Sequence, residues 1–562
     1  MRSNLIRWLE WGTALGAVLV ACAAVYQTFF AAREPSQPGM FSQYQQRATM
    51  LAAEADPIKR DSMCISLSAF GRSIDTQIPT NARVYMSGIL GPEGSGNLGY
   101  FYFLTYYLFP REVALSLGQR PVYNLSGAVQ GHSPASFDEL AQAGYDLVLQ
   151  PMPDGRWESR ALKPLPPTQT KPEPISGSDS LIAFLLPLAV ALAGARLVRV
   201  LFKELETVLS FGELLACGLA LGIFFLTQSI LGLRMAGARL EHFLGLAVMI
   251  WAGIEVVLLF RQRRAQLPQP NIRLLWWLLM LPAAAMLWCL FRLAGTEGLL
   301  EFDAVAFWAL KGKIFYYCAG PELWGWFQNP TLAYAHMDYP LTAPLLHTLT
   351  YGVIGHVNEF VTKFWNVWML LLLGVATLGA GRFPYKKPWL VAAVATAVIL
   401  LPMSLEFART EGGTIPMFFF TVISSLQFAL GMAEKQPGRI RLGLLLLMAT
   451  AMVKFEGIVL LGFWGILLLL DMDSRAAFWP VRRIGLAGLL AIAGWIPYLI
   501  FRFHHPVPHA ESVWLGVLAN NLGAVLTIAP MTCLAFISRR FFNNDFANWG
   551  SPDNLHAVWQ GK

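Results

Sequence analysis

Four short stretches carry charge where an otherwise apolar chain has little reason to. "EFDAVAFWALKGK" (301–313) sets Glu301 and Asp303 ahead of Lys311 and Lys313, a few residues after the run "LLWWLLMLPAAAMLWCLFRLAG". "EFARTEGGTIP" supplies Glu406, Arg409 and Glu411, and "ATAMVKFEGIV" supplies Lys454 and Glu456. "HMDYPLTAPLLH" supplies His336, Asp338, Tyr339 and His347. A charge at the centre of a membrane helix costs on the order of 2.5–3.5 kcal/mol, so each needs a compensating role. The chemistry open to these residues is acid–base and electrostatic. A carboxylate can take the proton of an attacking hydroxyl, and a fixed cation can hold negative charge as it develops on a leaving group. Each stretch also has a plainer reading. Glu301 and Asp303 suit the positive end of a helix dipole. Lys454 and Glu456 fit a turn whose charges snorkel to the interface, and Arg409 with Glu411 fits a surface pair worth little.

The elements that must position these residues are membrane helices. Of the 562 residues, 55% are hydrophobic and 14% charged, against about a quarter charged in a soluble domain. Runs of about 20 apolar residues recur along the chain, which makes it polytopic. The formal charge of +7 does not point to nucleic acid, because basic residues fall in short clusters between apolar runs and orient them. Six cysteines make no framework. Cys22, Cys217, Cys289 and Cys533 lie within apolar runs, and a Cys64–Cys318 bridge is one pairing that spacing alone cannot establish.

Basic clusters set the expected threading. Arg2 and Arg7 hold the N-terminus inside, and no small-residue cleavage site follows "VYQTFFAAREP", so residues 1–31 read as a retained anchor. Residues 32–179 form a long polar segment outside. Residues 180–300 make four spans, with Arg196, Arg199, Lys203 and "RQRR" (261–264) in their inner loops. Residues 301–356 are an outer loop, 357–540 a multi-span core and 541–562 a cytoplasmic tail. The total is about twelve spans. Within the outer loop, Phe302, Val305, Trp308, Ala309, Gly312, Phe315 and Tyr316 recur at helical spacing, with Lys311 and Lys313 off that stripe. This predicts an interfacial amphipathic helix holding Glu301 and Asp303 at the membrane surface. "YPLTAPLLHTLTYGVIG" (339–355) is expected to lie on, or dip into, the outer leaflet without crossing.

Residues 41–165 read as a small α/β fold. "ARVYMSGIL" is a strand, "YFYFLTYYLFPREVALSL" an apolar helix ending at Pro110, and "SFDELAQAGYDLVLQP" a helix, turn and strand. No nucleophile, base and orienter are assembled there. "PLPPTQTKPEPISGSDS" (164–180) is a linker back to the membrane. Weaker signals carry little. "HHPVPH" (504–509) has metal-like histidine spacing, but Pro506 and Pro508 prevent the helix that would align two ligands. "GPEGSGNLG" (91–99) lacks the Gly-Lys-Ser/Thr ending of a phosphate loop, and "NLS" (124–126) is a glycan acceptor triplet. No repeated half with matching broken helices marks a secondary transporter.

From Glu301 onward the chain resembles the GT-C superfamily of integral-membrane glycosyltransferases, in its bacterial protein-mannosyltransferase-like and aminoarabinose-transferase-like branch. The motifs are "FDAVAFWALKGK" after a span, "HMDYPLTAPLLHTL", "NEFVTKFWNVW", "ARTEGGTIPMFFF" and "ATAMVKFEG", in that order over roughly 270–500. The resemblance implies an all-α polytopic bundle in a bacterial inner membrane, to which the residue pattern adds a small extracytoplasmic α/β domain inserted after the first span. It further implies transfer of a sugar from a polyprenyl-phosphate donor to a glycan, lipid or protein acceptor outside, with inversion. By the same resemblance Asp303 is the base and Glu301 the second candidate. Lys454, Arg409, Lys311 and Lys313 are candidates for the donor phosphate, and Glu411, Glu456, His336, Asp338 and Tyr339 line the acceptor site. The resemblance fixes no cofactor, and a divalent metal held by Asp303 with Glu411 stays open. The family carries Asp where Glu411 stands. The four spans at 180–293 and the outer domain depart from its minimal layout. The rival readings are a non-enzymatic lipid or solute translocator and a membrane scaffold presenting the outer domain.

Overall fold

The structure is a computed structural model that describes residues 19–30, 40–53, 82–87, 105–116, 122–124, 127–129, 137–151, 157–163, 177–262, 280–299, 303–328, 332, 335, 337, 339–380, 388–454, 456–470 and 481–504. It opens with helices α1 (Leu19–Phe29) and α2 (Met40–Ala53). A mixed sheet comes next, built from β1 (Arg83–Ser87), β2 (Glu112–Ser116), β5 (Leu147–Pro151) and β6 (Trp157–Ala161) in the order β2-β1-β5-β6. Between β2 and β5 come a small hairpin, β3 (Val122–Asn124) and β4 (Gly127–Val129), and helix α3 (Phe137–Gln142). β1 runs parallel to β2 and β5, and β6 is antiparallel to β5. Val84 and Met86 are fully buried, the period-2 face expected of a strand. The strand at 83–87 and the helix–turn–strand at 137–151 match the sequence pattern. The apolar helix expected to end at Pro110 does end there, but the residues after the proline form a strand that the sequence pattern does not separate out. Residues 105–108 are helical, and Glu112–Ser116 then pairs with β1 as a strand. Proline ends the helix, and an available strand edge decides the rest.

The bundle runs α4 (Gly177–Leu201), α5 (Phe211–Met235), α6 (Glu241–Gln262), α7 (Leu281–Ala294), α8 (a wide-turn segment Ala304–Ala309 running into Leu310–Tyr317) and α9 (Pro321–Phe327). It continues with α10 (Thr342–Ile354), α11 (Phe364–Ala380), α12 (Pro388–Leu400), α13 (Pro402–Arg409), α14 (Thr414–Glu434), α15 (Pro437–Thr450), α16 (Glu456–Leu470) and α17 (Val481–His504). Among the described residues four helices are long and apolar enough to cross a membrane, within α4, α5, α6 and α14. A fifth joins if α12 and α13, bent 50° at Leu401, count as one span. Pro402 accounts for that bend, since it forces Leu401 out of the helical region. Phe243, Ile250, Trp251 and Ile254 stand exposed along α6, and Leu489, Ile492 and Phe503 along α17. Apolar stripes of this kind suit a lipid-facing surface. The last expected span, at 513–535, lies outside the described residues, as do "HHPVPH" beyond His504 and the tail.

Small residues let α4 and α5 touch backbone to backbone. Gly218 and Gly222 make a G-x-x-x-G step, and a Cβ on Gly218 would sit 2.4 Å from the Ala191 carbonyl. The helix ends sort into two groups. At one end Arg441 pairs with Glu204, and Arg439 lies 2.7 Å from Glu213, which caps α5 through Ser210. At the other, the Gly320 amide donates to Arg234 O (2.7 Å), Arg239 faces Glu322, and Trp324 stacks on His504. The alternation expected from the basic clusters assigns the first group to one face and the second to the other. Arg439 is fully buried, because Glu213 and Gln427 take its guanidinium. Cys217, Cys289 and Cys318 are buried free thiols, and Cys64 lies outside the described residues.

Candidate functional site

The first turn of α8 is wide: the Leu310 amide donates to Val305 O, five residues back. An α-helix sets residues five apart about 140° around its axis. Closing the bonds over five residues widens the turn and brings Asp303 nearer the face of Trp308, a local device common at functional sites. Asp303 is exposed at the head of the helix, and no side chain pairs with it among the described residues. The rest of α8 corrects the sequence reading. It is not a surface helix, since nearly every residue from Ala304 to Phe315 is buried. Lys311 lies over the rings of Trp308 (5.2 Å) and Tyr339 (5.6 Å). Lys313 sits 3.2 Å from Glu359, donates to Tyr106 O (3.1 Å) and covers the Tyr106 ring at 3.7 Å. These π faces and the carboxylate replace the water expected around the lysines. α10 is likewise packed against protein, buried from Thr342 to Tyr351. It presses so closely on α8 that a Cβ at Gly312 would meet His347 Cβ at 2.8 Å.

Three of the four charged stretches meet at Gly413. A Cβ there would lie 3.0 Å from Trp308 Cη2 and 3.4 Å from Lys454 Cε. The α8 segment, the hairpin between α13 and α14, and the break between α15 and α16 therefore share one contact. The fourth stretch joins through Tyr339, 5.9 Å from Trp308, and through Thr342, whose hydroxyl donates to Met452 O (2.7 Å). The α15–α16 break is shaped by Gly457, whose amide donates to Lys454 O and whose missing Cβ would be 2.4 Å from Thr450 O. Lys454 and Glu456 are both partly exposed there. Glu301, His336 and Asp338 lie outside the described residues.

Arg409 stands elsewhere. It donates to both oxygens of Glu297 (2.9 and 3.2 Å), reaches Glu406 at 3.4 Å and lies 4.3 Å above the Tyr44 ring of α2. Glu297 is fully buried and also receives Arg47 of α2 and Lys363 at 3.8 Å, while Lys363 donates to Gly298 O. Burial would raise the Glu297 pKa, but Lys363, then Arg409 and Arg47, outweigh it and hold the carboxyl below its ordinary range. Sequence reasoning missed Glu297, Lys363, Glu359 and Arg47. Lys363 and Glu359 stand in plain sight in "NEFVTKFW", where each looks like a flank of a span.

Glu411 is buried beside this cluster. The Thr362 hydroxyl donates to Glu411 Oε1, while Oε2 has no hydrogen-bond partner among the described residues. Burial pushes its pKa up to about 8, with Lys363 and Thr362 pulling the other way. A cavity beside it has about 10 Å³ open to the centre of a water molecule, and is lined by His347, Thr362, Trp365, Asn366 and Glu411 among others. Burial holds His347 down to about 3, so its imidazole is neutral. Of the pair proposed for a metal, Asp303 is exposed and Glu411 buried. Among the described residues no group of three or more His, Cys, Asp or Glu could hold a metal ion. Compared with family models, curated proteins and solved structures, the chain matches none.

The end of the bundle around Gly413 thus offers an exposed carboxylate, an aromatic wall of Trp308 and Tyr339, and a partly exposed ammonium. Together these can take up a proton and hold an anionic group beside an apolar surface.

Proposed function

We propose that the chain is an integral-membrane glycosyltransferase of GT-C type, moving a sugar from a polyprenyl-phosphate donor to an acceptor hydroxyl outside the membrane. The observation that carries this reading is the contact of Trp308 and Lys454 across Gly413, with Asp303 exposed one helical turn away. Asp303 would take the proton of the acceptor hydroxyl as it attacks the anomeric carbon from the face opposite the phosphate, inverting that centre. Lys454 would hold the charge developing on the departing lipid phosphate. Of the cations proposed from sequence, Lys454 fits this role best, since Lys313 and Arg409 already face Glu359 and Glu297. Trp308 and Tyr339 would seat the sugar or the first prenyl units. The sheet of β1, β2, β5 and β6 belongs, in this reading, to an extracytoplasmic domain tied to the bundle through α2, Tyr106 and their charged partners. The full chain would make about twelve crossings of a bacterial inner membrane.

The test is transfer in lipid discs, using a polyprenyl-phosphate sugar pool and detecting released polyprenyl phosphate. Asp303→Asn should cost about 10²–10⁴-fold in turnover, the range for a lost general base. Lys454→Ala should mainly weaken donor use. Full transfer by folded Asp303→Asn protein would end the catalytic assignment. Lipid movement without sugar transfer would favour a translocator.

A further inference from the structure

Two buried polar atoms next to the Gly413 contact have no hydrogen-bond partner among the described residues, Glu411 Oε2 and His347 Nδ1. They come from different elements, the hairpin before α14 and the middle of α10, yet both residues line one cavity. About 10 Å³ of it is open to the centre of a water molecule, about the room one water needs. A third wall is Asn366, whose Nδ2 donates one hydrogen to Thr410 O at 2.7 Å and carries a second.

We propose that Glu411, His347 and Asn366 line a binding site for one water molecule, which ties the 410–413 hairpin to α10 and so positions Gly413 against Trp308 and Lys454. The hydrogen bonds close. The water accepts from the second Asn366 hydrogen and donates to Nδ1 of neutral His347, whose proton is then on Nε2. Its remaining hydrogen goes to Glu411 Oε2. If Glu411 is protonated, the water accepts from it instead. A ligand that must both give and receive hydrogen bonds here is water and not a metal or alkali cation, which cannot donate. Three partners is the usual complement of a buried structural water. His347 and Asn366 are accordingly positioning residues. Only the cavity and its walls enter this proposal, so it stands whether or not the neighbouring site transfers sugars.

The test is X-ray radiolytic footprinting of the full chain in lipid discs, which oxidises side chains beside bound water even where bulk solvent cannot reach. Trp365, on the cavity wall, and Trp464, equally buried and remote from it, provide an internal comparison. Trp365 and His347 should be oxidised several-fold faster than Trp464 in the wild-type protein. The excess at Trp365 should vanish in Glu411→Met and in Asn366→Leu, each of which removes a polar wall. Equal oxidation of Trp365 and Trp464 in the wild type would overturn the proposal without any variant having to fold. So would an excess that survives both substitutions, or one that falls as sodium or ammonium displaces the water.

Discussion

Glu411 makes folding depend on pH in a direction opposite to most carboxylates. Its folded pKa is raised from 4.5 to about 8, chiefly by burial. A raised folded pKa contributes stability that is fully present below the unfolded value and lost as pH rises through the folded one. Between about pH 6 and pH 9 the unfolded chain is ionised throughout, while the folded chain changes from almost wholly protonated to mostly ionised. With the linkage relation, that interval removes about 2–3 kcal/mol. Glu411→Gln keeps the shape and can still accept from Thr362, but it cannot ionise. Thermal or denaturant unfolding of both proteins in the same detergent, at about pH 6 and pH 9, isolates the Glu411 contribution as the difference of differences. The wild type should lose about 2–3 kcal/mol more than Glu411→Gln over the interval. Parallel pH profiles would show that Glu411 is ionised throughout, and that Lys363 or water reaches it far better than its enclosure implies.

Other substitutions probe the same end of the bundle and the scaffold behind it. Glu297→Gln leaves Lys363, Arg409 and Arg47 facing one another in a buried place and should cost about 3–5 kcal/mol in unfolding measurements. Arg47→Met removes only the most exposed of these cations and should cost about 1 kcal/mol or less. Gly218→Val drives a methyl-bearing carbon into the Ala191 carbonyl, so it should lower the yield of monodisperse protein and cost at least about 1–3 kcal/mol in thermal unfolding. Lys313→Met strands Glu359 against the Tyr106 hydroxyl. It should raise proteolysis between α2 and β2, where the sheet segment joins the bundle, more than it lowers the stability of the helices.

Much of this arrangement was legible in the residues, and the failures share a cause. Three of the charged motifs singled out in the sequence come together in the fold, where Trp308, Gly413 and Lys454 lie side by side. Local pattern also found β1, α3 and β5. It failed where partners are remote. Arg47 and Glu297 are 250 positions apart, and Lys313 and Tyr106 are 207 apart. No window of sequence holds both halves of such a pair, so Lys311 and Lys313 look solvated and Glu297 looks like a helix end. The reading of α8 as an amphipathic surface helix fails for the same reason. An apolar stripe identifies a face to be covered but not whether lipid or protein covers it. The strand at 112–116 is hidden because a run of apolar residues before Pro110 reads equally well as helix until a neighbouring edge claims the residues beyond the proline.

In the proposed function, lipid phosphate enters between α8 and the α15–α16 break. With the native cysteines replaced, Gly412→Cys places a thiol beside the Trp308–Lys454 contact, with no neighbour closer than 3.9 Å to its Cβ, and leaves both residues in place. Its labelling by a small thiol reagent in intact membranes should be suppressed by a polyprenyl-phosphate sugar, but not by a neutral prenol. A thiol that reacts in folded protein equally fast with and without the donor would contradict the proposal.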